Sequence, residues 1–269
     1  LQMKIAYLQF TPSYLDVTGN LDRAGELLAG ADADLIVLPE LFTSGYHFRS
    51  TQDLADVAEP IPGGLATDRL VAWADAMDAT LVAGIAERGD DAFYNSAVVV
   101  SPNGCEGTYR KVHLYYKEKT LFAPGDDGFS VYELTARNGT SYTLGVMVCF
   151  DWYFPEAARS LALQGADIIA HPSNLVRPDC PRAMPIRALE NHVFTITANR
   201  AGSETSNGET LTFIGQSEVC DPAGHVLIRA DRTGDYFETV EIDPAAARDR
   251  QITAHNHIFQ DRRPEYYAR

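Results

Sequence analysis

Three reactive side chains of different chemistry each stand directly after a strand-like segment of the sequence. Glu40 follows an apolar run that ends in Pro39. Lys111 ends a second strand-like segment, and Cys149 follows a third. In α/β proteins, functional groups tend to lie just beyond the carboxyl ends of strands. A thiol, an ammonium group and a carboxylate supply a nucleophile, a stabiliser of negative charge and a proton acceptor. The pattern therefore predicts covalent catalysis by a cysteine.

The residues after Cys149 predict a helix, which bears on the reactivity of its thiol. Phe154-Pro155-Glu156 places a proline near the first helical turn. The N–H groups and the dipole at a helix start stabilise negative charge, and the ammonium group of Lys111 would lower the pKa of the thiol further. We therefore expect Cys149 to be held as a thiolate. A buried carboxylate such as Glu40 could accept the thiol proton and return it to a leaving amine.

Hydrophobic patterning predicts alternating strands and helices in the first half of the chain. The turn Ser101-Pro102-Asn103-Gly104 joins two of the strands into a hairpin. Strands are expected at 3–10, 34–38, 80–86, 93–100 and 107–111, and helices at 20–30 and 65–77.

The second half repeats this plan. No Gly/Ser-rich linker and no shift of composition divides the halves, so residues 1–269 are predicted to form a single α/β domain. Its strands would form a mixed sheet, or two packed sheets, with helices outside. Strands are expected at 130–134, 142–148, 167–171, 193–199, 212–220, 226–229 and 236–242, and helices at 155–164 and 184–192.

Composition excludes several classes of protein. The 269 residues are 45% hydrophobic and 22% charged, and no apolar run approaches the roughly 18 to 20 residues that a bilayer span needs. The formal net charge of −15 repels phosphate backbones and anionic membranes, so neither a nucleic acid nor a membrane partner is expected. No signal peptide is visible, which predicts a cytoplasmic protein with reduced thiols.

The spacing of the four cysteines does not indicate a metal site. Cys105, Cys149, Cys180 and Cys220 form no C-x-x-C pair, and no glycine-rich phosphate loop is present. We therefore expect no metal and no cofactor.

The sequence around the three reactive residues resembles the nitrilase superfamily of carbon–nitrogen hydrolases. The resemblance runs from Lys4 to Tyr267. It implies a four-layer α-β-β-α sandwich that associates into at least a dimer, with the tail at residues 251–269 docking on the partner subunit. The matching blocks are Leu38-Pro39-Glu40-Leu41-Phe42, Tyr109-Arg110-Lys111-Val112-His113-Leu114, Gly145-Val146-Met147-Val148-Cys149-Phe150-Asp151 and Phe154-Pro155-Glu156.

The same resemblance implies a role for each residue. Glu40 would be the general base, Lys111 the cation that steadies the tetrahedral intermediate, and Cys149 the nucleophile. Glu118, in the loop after the lysine, matches a second glutamate that family members use. The backbone N–H of Phe150 would complete the oxyanion site.

Neighbouring residues are expected to shape a substrate pocket. Tyr46, Trp152 and Asn174 are predicted to line it, because two aromatic rings narrow a cavity and one amide supplies a polar contact. Such a pocket suits short, neutral acyl groups. An anionic substrate would need a further cation, for which Arg177 is the nearby candidate. His171 is expected to support the wall of the site rather than to form a Cys–His pair.

The expected reaction is hydrolysis of a small aliphatic amide to a carboxylic acid and ammonia through a cysteine thioester. Hydrolysis of aliphatic nitriles or dinitriles is the close alternative, and hydrolysis of N-carbamoyl amides is a further one. Phe150-Asp151 follows the nucleophile where nitrilases commonly carry Trp-Glu, which favours an amidase. An acyltransferase and a non-catalytic protein of the same fold are the rival classes.

Overall fold

The computed structural model describes residues 1–267, which form two six-stranded sheets, two short hairpins and five α-helices. The strands are β1 (Met3–Gln9), β2 (Leu35–Val37), β3 (Thr80–Arg88), β4 (Phe93–Ser101), β5 (Gly104–Arg110), β6 (Val131–Thr135), β7 (Ser141–Val146), β8 (Ile168–Ser173), β9 (Phe194–Asn199), β10 (Ser203–Ser206), β11 (Glu209–Thr212), β12 (Glu218–Cys220), β13 (Val226–Arg229), β14 (Tyr236–Ile242), β15 (Gln251–Thr253) and β16 (Asn256–His257). The helices are α1 (Val17–Leu27), α2 (Thr51–Val57), α3 (Leu65–Met77), α4 (Pro155–Leu163) and α5 (Cys180–Asn191).

Both large sheets follow the same pattern of strand pairing. The first sheet has the order β14-β1-β2-β3-β4-β5, and the second has the order β6-β7-β8-β9-β12-β13. In each sheet the first pair is antiparallel, the next two pairs are parallel and the last two are antiparallel. The repeated plan predicted from the sequence is therefore present in the topology.

The apolar faces of the strands explain why the elements stack in four layers. In β2, Ile36 belongs to the cluster that contains Leu21 of α1 and Leu70 of α3, whereas Val37 belongs to the cluster between the sheets with Val146. Helices α4 and α5 pack on the outer face of the second sheet. Because both faces of the central strands are buried, these strands read as continuous apolar runs.

The structure corrects the single strand predicted at 212–220. β11 ends at Thr212, and β12 begins only at Glu218. Gly215 and Gln216 lie between them with left-handed φ angles of 57° each, which an extended strand cannot contain. The predicted strand is therefore two strands in two different sheets.

Three helices also differ from expectation. The first helix was predicted at 20–30, but α1 begins three residues earlier, behind the capping residue Asp16. α5 begins at Cys180 rather than at residue 184, with Pro181 in the first turn, where a missing N–H is tolerated. α2 was not predicted, although Ser50 caps it by accepting a hydrogen bond from the Asp53 N–H at 3.1 Å.

The tail predicted at 251–269 is described as far as residue 267, so its last two residues lie outside the described part. The ring of Phe259 packs between two guanidinium groups, 5.1 Å from that of Arg159 and 4.6 Å from that of Arg250. Arg159 belongs to α4, so this part of the tail docks on its own chain. Tyr266 remains 73% exposed.

Candidate active site

The loop after β2 presses Glu40 against the neighbouring strand β3. The N–H of Leu38 donates to the Val82 carbonyl at 2.8 Å, and the N–H of Phe42 donates to the Gly84 carbonyl at 3.0 Å. A Cβ atom at Gly84 would lie 2.4 Å from the Cα of Glu40. Only glycine therefore allows the two backbones to approach so closely.

Glu40 belongs to a buried cluster of charged groups. Nζ of Lys111 lies 2.7 Å from Oε1 of Glu40 and 2.8 Å from Oε1 of Glu118. Asn95 donates to Glu40 Oε1 at 2.7 Å, whereas Glu40 Oε2 has no hydrogen-bond partner within residues 1–267. The Tyr46 hydroxyl donates to Glu118 Oε1 at 2.6 Å. Two carboxylates and one ammonium group are thus held together at almost no exposure to solvent.

Burial and pairing set the charges of this cluster. Burial by itself would lower the pKa of Lys111, but the carboxylates of Glu118 and Glu40 outweigh that effect and raise its pKa well above the usual range. Burial raises the pKa of Glu118, the charge of Lys111 opposes this rise, and the charge of Glu40 adds to it. The lysine therefore remains an ammonium ion at neutral pH.

Cys149 lies at the start of a short 3-10 helix, Cys149–Tyr153, with a left-handed φ of 43°. Burial, followed by the negative charge of Glu40, raises the pKa of its thiol well above the usual value. The prediction of a resting thiolate is therefore wrong. α4 begins only at Pro155, beyond the range over which a helix terminus acts. A neutral thiol beside buried carboxylates needs a general base to become nucleophilic.

His171 lies next to the turn that carries Cys149. Its Nε2 is 2.9 Å from the Cys149 carbonyl oxygen, and its Nδ1 is 3.0 Å from the Thr197 hydroxyl. Burial lowers the pKa of His171 to about 4, so the ring is neutral at neutral pH. The Nε2–H then donates to the carbonyl and the threonine donates to Nδ1. His171 thus contacts the backbone of the nucleophile and acts as a support.

A cleft of about 410 Å³ opens over Cys149. Trp152 and Asn174, two of the residues predicted to line a pocket, are in its walls, and Arg177 lies at the same cleft with its side chain 64% exposed and paired with Asp179 at 2.8 Å. The cleft is lined by Tyr115, Cys149, Phe150, Trp152, Tyr153, Asn174, Leu175, Val176 and Arg177.

Tyr46, the third residue predicted to line the pocket, occupies a different place. It is buried behind Glu118, to which it donates its hydroxyl hydrogen, and does not belong to the walls of the cleft. Tyr46 therefore acts on the charged cluster.

Asn174 and Phe150 carry polar groups that are available for contacts in the cleft. The Asn174 side chain is 3% exposed, and its Nδ2 and Oδ1 find no partner within the described chain. The backbone of Asn174 lowers the pKa of the Cys149 thiol, against the larger effect of burial. Phe150 is the second residue of the 3-10 helix, where an N–H has no partner within the helix. The cleft thus carries donors and an acceptor beside the sulfur atom.

Sequence reasoning missed Asn95, which holds one oxygen of Glu40. The available signal was a polar pair, Asn95-Ser96, within the otherwise apolar strand β4. Asn95 is fully buried, which for an amide requires a partner.

Within residues 1–267, no group of three or more His, Cys, Asp or Glu side chains is placed to hold a metal ion. None of the helices in the same range has both the length and the apolar character that crossing a membrane requires.

The profile of the carbon–nitrogen hydrolase family matches residues 4–251. This chain belongs to the carbon–nitrogen hydrolase family. The resemblance seen in the sequence blocks around Glu40, Lys111 and Cys149 is thereby confirmed, and the protein is a carbon–nitrogen hydrolase.

Relatives within the family carry different names. A nitrilase of Pyrococcus abyssi is 48% identical over 270 residues, covering 99% of this chain and 100% of that protein. An (R)-stereoselective amidase of a Pseudomonas species is 36% identical, covering 92% of this chain and 89% of the amidase. The solved structure of a mutant of the Nesterenkonia AN1 amidase, from the nitrilase superfamily, has a TM-score of 0.80 at 29% identity, covering 98% of this chain and 95% of that chain.

Proposed function

We propose that this carbon–nitrogen hydrolase cleaves small aliphatic amides to a carboxylic acid and ammonia through a thioester on Cys149. The observation that carries the proposal is the buried cluster of Glu40, Lys111 and Glu118, whose charges act on the thiol at the head of an open cleft. Such a cluster combines a base, a fixed positive charge and a nucleophile without a cofactor.

The first half of the reaction forms the thioester. Glu40 accepts the thiol proton as sulfur attacks the substrate carbonyl carbon, and the carbonyl π electrons move to oxygen. The ammonium group of Lys111 and the N–H of Phe150 stabilise that oxyanion, where one such donor typically lowers the barrier by about 2.7–4 kcal/mol. The C–N bond then breaks, and Glu40 returns the proton to the departing ammonia.

The second half releases the acid. Glu40 takes a proton from a water molecule that attacks the thioester carbon, and the C–S bond breaks with the proton returned to sulfur. Glu118 is the residue that keeps Lys111 oriented, because it binds the ammonium group at 2.8 Å and is itself fixed by Tyr46 at 2.6 Å. Glu40 thus transfers protons, and Glu118 positions the ammonium group of Lys111.

The cleft supports an amide more than a nitrile as substrate. Asn174 Oδ1 in the cleft wall and Glu40 Oε2 in the charged cluster are buried acceptors without a partner within residues 1–267. A primary amide brings two N–H donors to them, whereas a nitrile brings none, and a buried acceptor left unpaired costs about 1–3 kcal/mol. Trp152 and Asn174 are the residues that we expect to contact the substrate.

Nitrile hydrolysis is the second candidate. It is favoured by the 48% identity to the protein named nitrilase, which extends over nearly the whole of both chains. The same nucleophile, base and cation would serve, since attack of sulfur on a nitrile carbon needs the thiol proton to be removed and nitrogen to be stabilised.

We also propose that the chain is one hydrolase domain that assembles into at least a homodimer, with the tail contributing to contacts with the partner. Exposed apolar side chains on α5 support this, because Ile186 is 51% exposed and Leu189 is 49% exposed. Exposed apolar residues on an outer helix are typical of association surfaces.

The test compares ammonia release from propionamide and propionitrile by the parent protein and by Cys149→Ala. We expect release from the amide, a lower rate from the nitrile, and no release by the variant. Mass spectrometry of the parent mixed rapidly with the amide should show the acyl group on Cys149. Ammonia release by Cys149→Ala at the parent's rate would refute the mechanism, and release from the nitrile alone would replace the amidase with a nitrilase.

A further inference from the structure

Asp151 is a fully buried carboxylate two residues after Cys149. The proposed reaction assigns it no role. Its Oδ2 accepts hydrogen bonds from the Val148 N–H at 2.8 Å and from the Tyr109 hydroxyl at 2.7 Å. Its Oδ1 accepts from the His113 N–H at 3.1 Å and lies 2.7 Å from His113 Nδ1. A single side chain thus engages four polar groups of three residues.

The partners of Asp151 belong to two separate catalytic segments. Tyr109 and His113 stand two residues before and two residues after Lys111, and Val148 directly precedes Cys149. Both sides of the lysine are therefore tied to the turn that carries the thiol. Asp151 is fully buried, and the contacts of both its carboxylate oxygens are with groups of the protein.

His113 extends this attachment to the helix that follows the nucleophile. Its ring stacks on that of Phe154, with centroids 3.8 Å apart and planes inclined by 13°. Phe154 is the capping residue between the 3-10 helix and α4, which begins at Pro155. The segment of Lys111 is thus held against both ends of the short 3-10 helix that begins with Cys149.

We propose that Asp151 is a positioning residue that sets the place of the Lys111 ammonium group relative to the Cys149 sulfur. An oxyanion is stabilised only by donors that stand at the position where the charge develops. Lys111 follows β5 of the first sheet and Cys149 follows β7 of the second, so their relative position depends on contacts between the two sheets at this edge. Asp151 supplies that link through its carboxylate.

Asp151→Asn keeps the shape of the side chain but breaks the link. An amide has one acceptor oxygen, whereas two backbone N–H groups, those of Val148 and His113, point at different oxygens of Asp151. Whichever way the amide turns, its NH2 group faces one of these N–H groups. One segment therefore loses its acceptor, and the two catalytic segments can shift against each other.

Asp167 offers a matched control at the opposite end of the second sheet. It is also buried, accepts from the Thr143 N–H at 3.0 Å and pairs with Arg248 at 2.8 Å. Asp167→Asn therefore removes a buried carboxylate with backbone and side-chain partners, far from the cleft. It should lower the melting temperature without lowering kcat.

The experiment measures kcat, KM and the melting temperature of the parent, Asp151→Asn and Asp167→Asn with propionamide. We expect both variants to melt earlier, and Asp151→Asn alone to lose about 100-fold in kcat with KM nearly unchanged, as for a displacement of about 1 Å at a catalytic group. Parent-level kcat in Asp151→Asn, or an equal loss in Asp167→Asn, would overturn the proposal.

Tyr109→Phe keeps the inference testable if Asp151→Asn does not fold. It removes one hydrogen bond to the carboxylate and retains the others, so kcat should fall by about tenfold, which corresponds to about 1.4 kcal/mol. An unchanged kcat in this variant would count against Asp151 as a positioning residue. The inference rests on the proposed function, and a parent protein that releases no ammonia would refute that function first, before either variant is compared.

Discussion

Replacing Gly84 by alanine adds one methyl group where β3 passes beneath Glu40. The new Cβ would lie 2.4 Å from Glu40 Cα, 2.8 Å from the backbone nitrogen of Leu41 and 3.0 Å from the Glu40 carbonyl carbon. Carbon atoms in contact normally lie about 3.5–4.0 Å apart, so the backbone of Glu40 must retreat by about 1 Å. All three close atoms belong to the backbone, so no side-chain rotation can relieve the contact.

This displacement should affect the reaction more than the fold. A shift of about 1 Å at a catalytic group lowers the rate by about 100-fold, whereas overpacking of a core lowers the free energy of unfolding by about 1–3 kcal/mol. Glu40 Oε1 would draw away from Lys111 Nζ, now 2.7 Å distant, and the carboxylate would move relative to the thiol on which its charge acts. We therefore expect Gly84→Ala to fold with kcat/KM for an amide about 100-fold below that of the parent.

The assay follows ammonia release from propionamide beside a thermal melt. Ala83→Val is the control, because Ala83 is fully buried in the same strand but belongs to the cluster that faces α1 and α3. It should lower the melting temperature by overpacking and leave kcat/KM unchanged. Parent-level activity in Gly84→Ala would refute the dependence on backbone position. An equal loss of activity in Ala83→Val would attribute the effect to stability alone.

Three other perturbations have expected outcomes. Glu118→Gln should leave Cys149 open to alkylation by iodoacetamide but stop amide turnover, and Glu40→Gln should stop turnover by removing the base; if both variants turn over amide like the parent, neither carboxylate acts in the reaction. As the pH falls from 6.5 to 4, the unfolded chain binds a proton that folded His171, with its pKa of about 4, does not bind. The free energy of unfolding should therefore fall with falling pH by about 3 kcal/mol through this group, and denaturant titrations of His171→Gln should show a shallower pH dependence than those of the parent, whereas identical slopes would contradict this. Deleting residues 251–269 should uncover apolar surface and weaken the oligomer, which sedimentation velocity would detect; an unchanged oligomer with unchanged thermal stability would contradict the docking of the tail.

The candidate site residues and the general architecture could be predicted because their signals are local. Glu40, Lys111 and Cys149 follow the strands β2, β5 and β7, whose ends are visible in the sequence, and the structure brings Glu40 and Lys111 into contact. The alternation of strands and helices could also be predicted, because buried strands and amphipathic helices have different hydrophobic repeats along the sequence. This alternation favours mixed sheets with helices outside.

Other features depend on contacts between distant residues and could not be predicted. The charge state of Cys149 follows from its burial and from Glu40, which is remote in sequence, so the local helix signal was misleading. Tyr46 reaches Glu118 across 72 positions, and Asp151 reaches Tyr109 across 42. A single sequence shows which residues are polar, but the partners of a buried polar group are known only when the strands have been assembled.

The pairing of β14 with β1 has a consequence for how the chain becomes active during synthesis. All the groups assigned to the reaction are made by residue 174, yet β1 gains its outer partner only when Tyr236–Ile242 arrives, with Met3 opposite Ile242 and Gln9 opposite Tyr236. Until then the unfinished chain exposes an open strand edge, and such edges invite pairing with other chains. β14 is therefore the last strand to join the first sheet, and it covers the edge of β1. A ribosome-bound chain that already holds Cys149 still lacks the strand that covers β1, the neighbour of the strand that precedes Glu40.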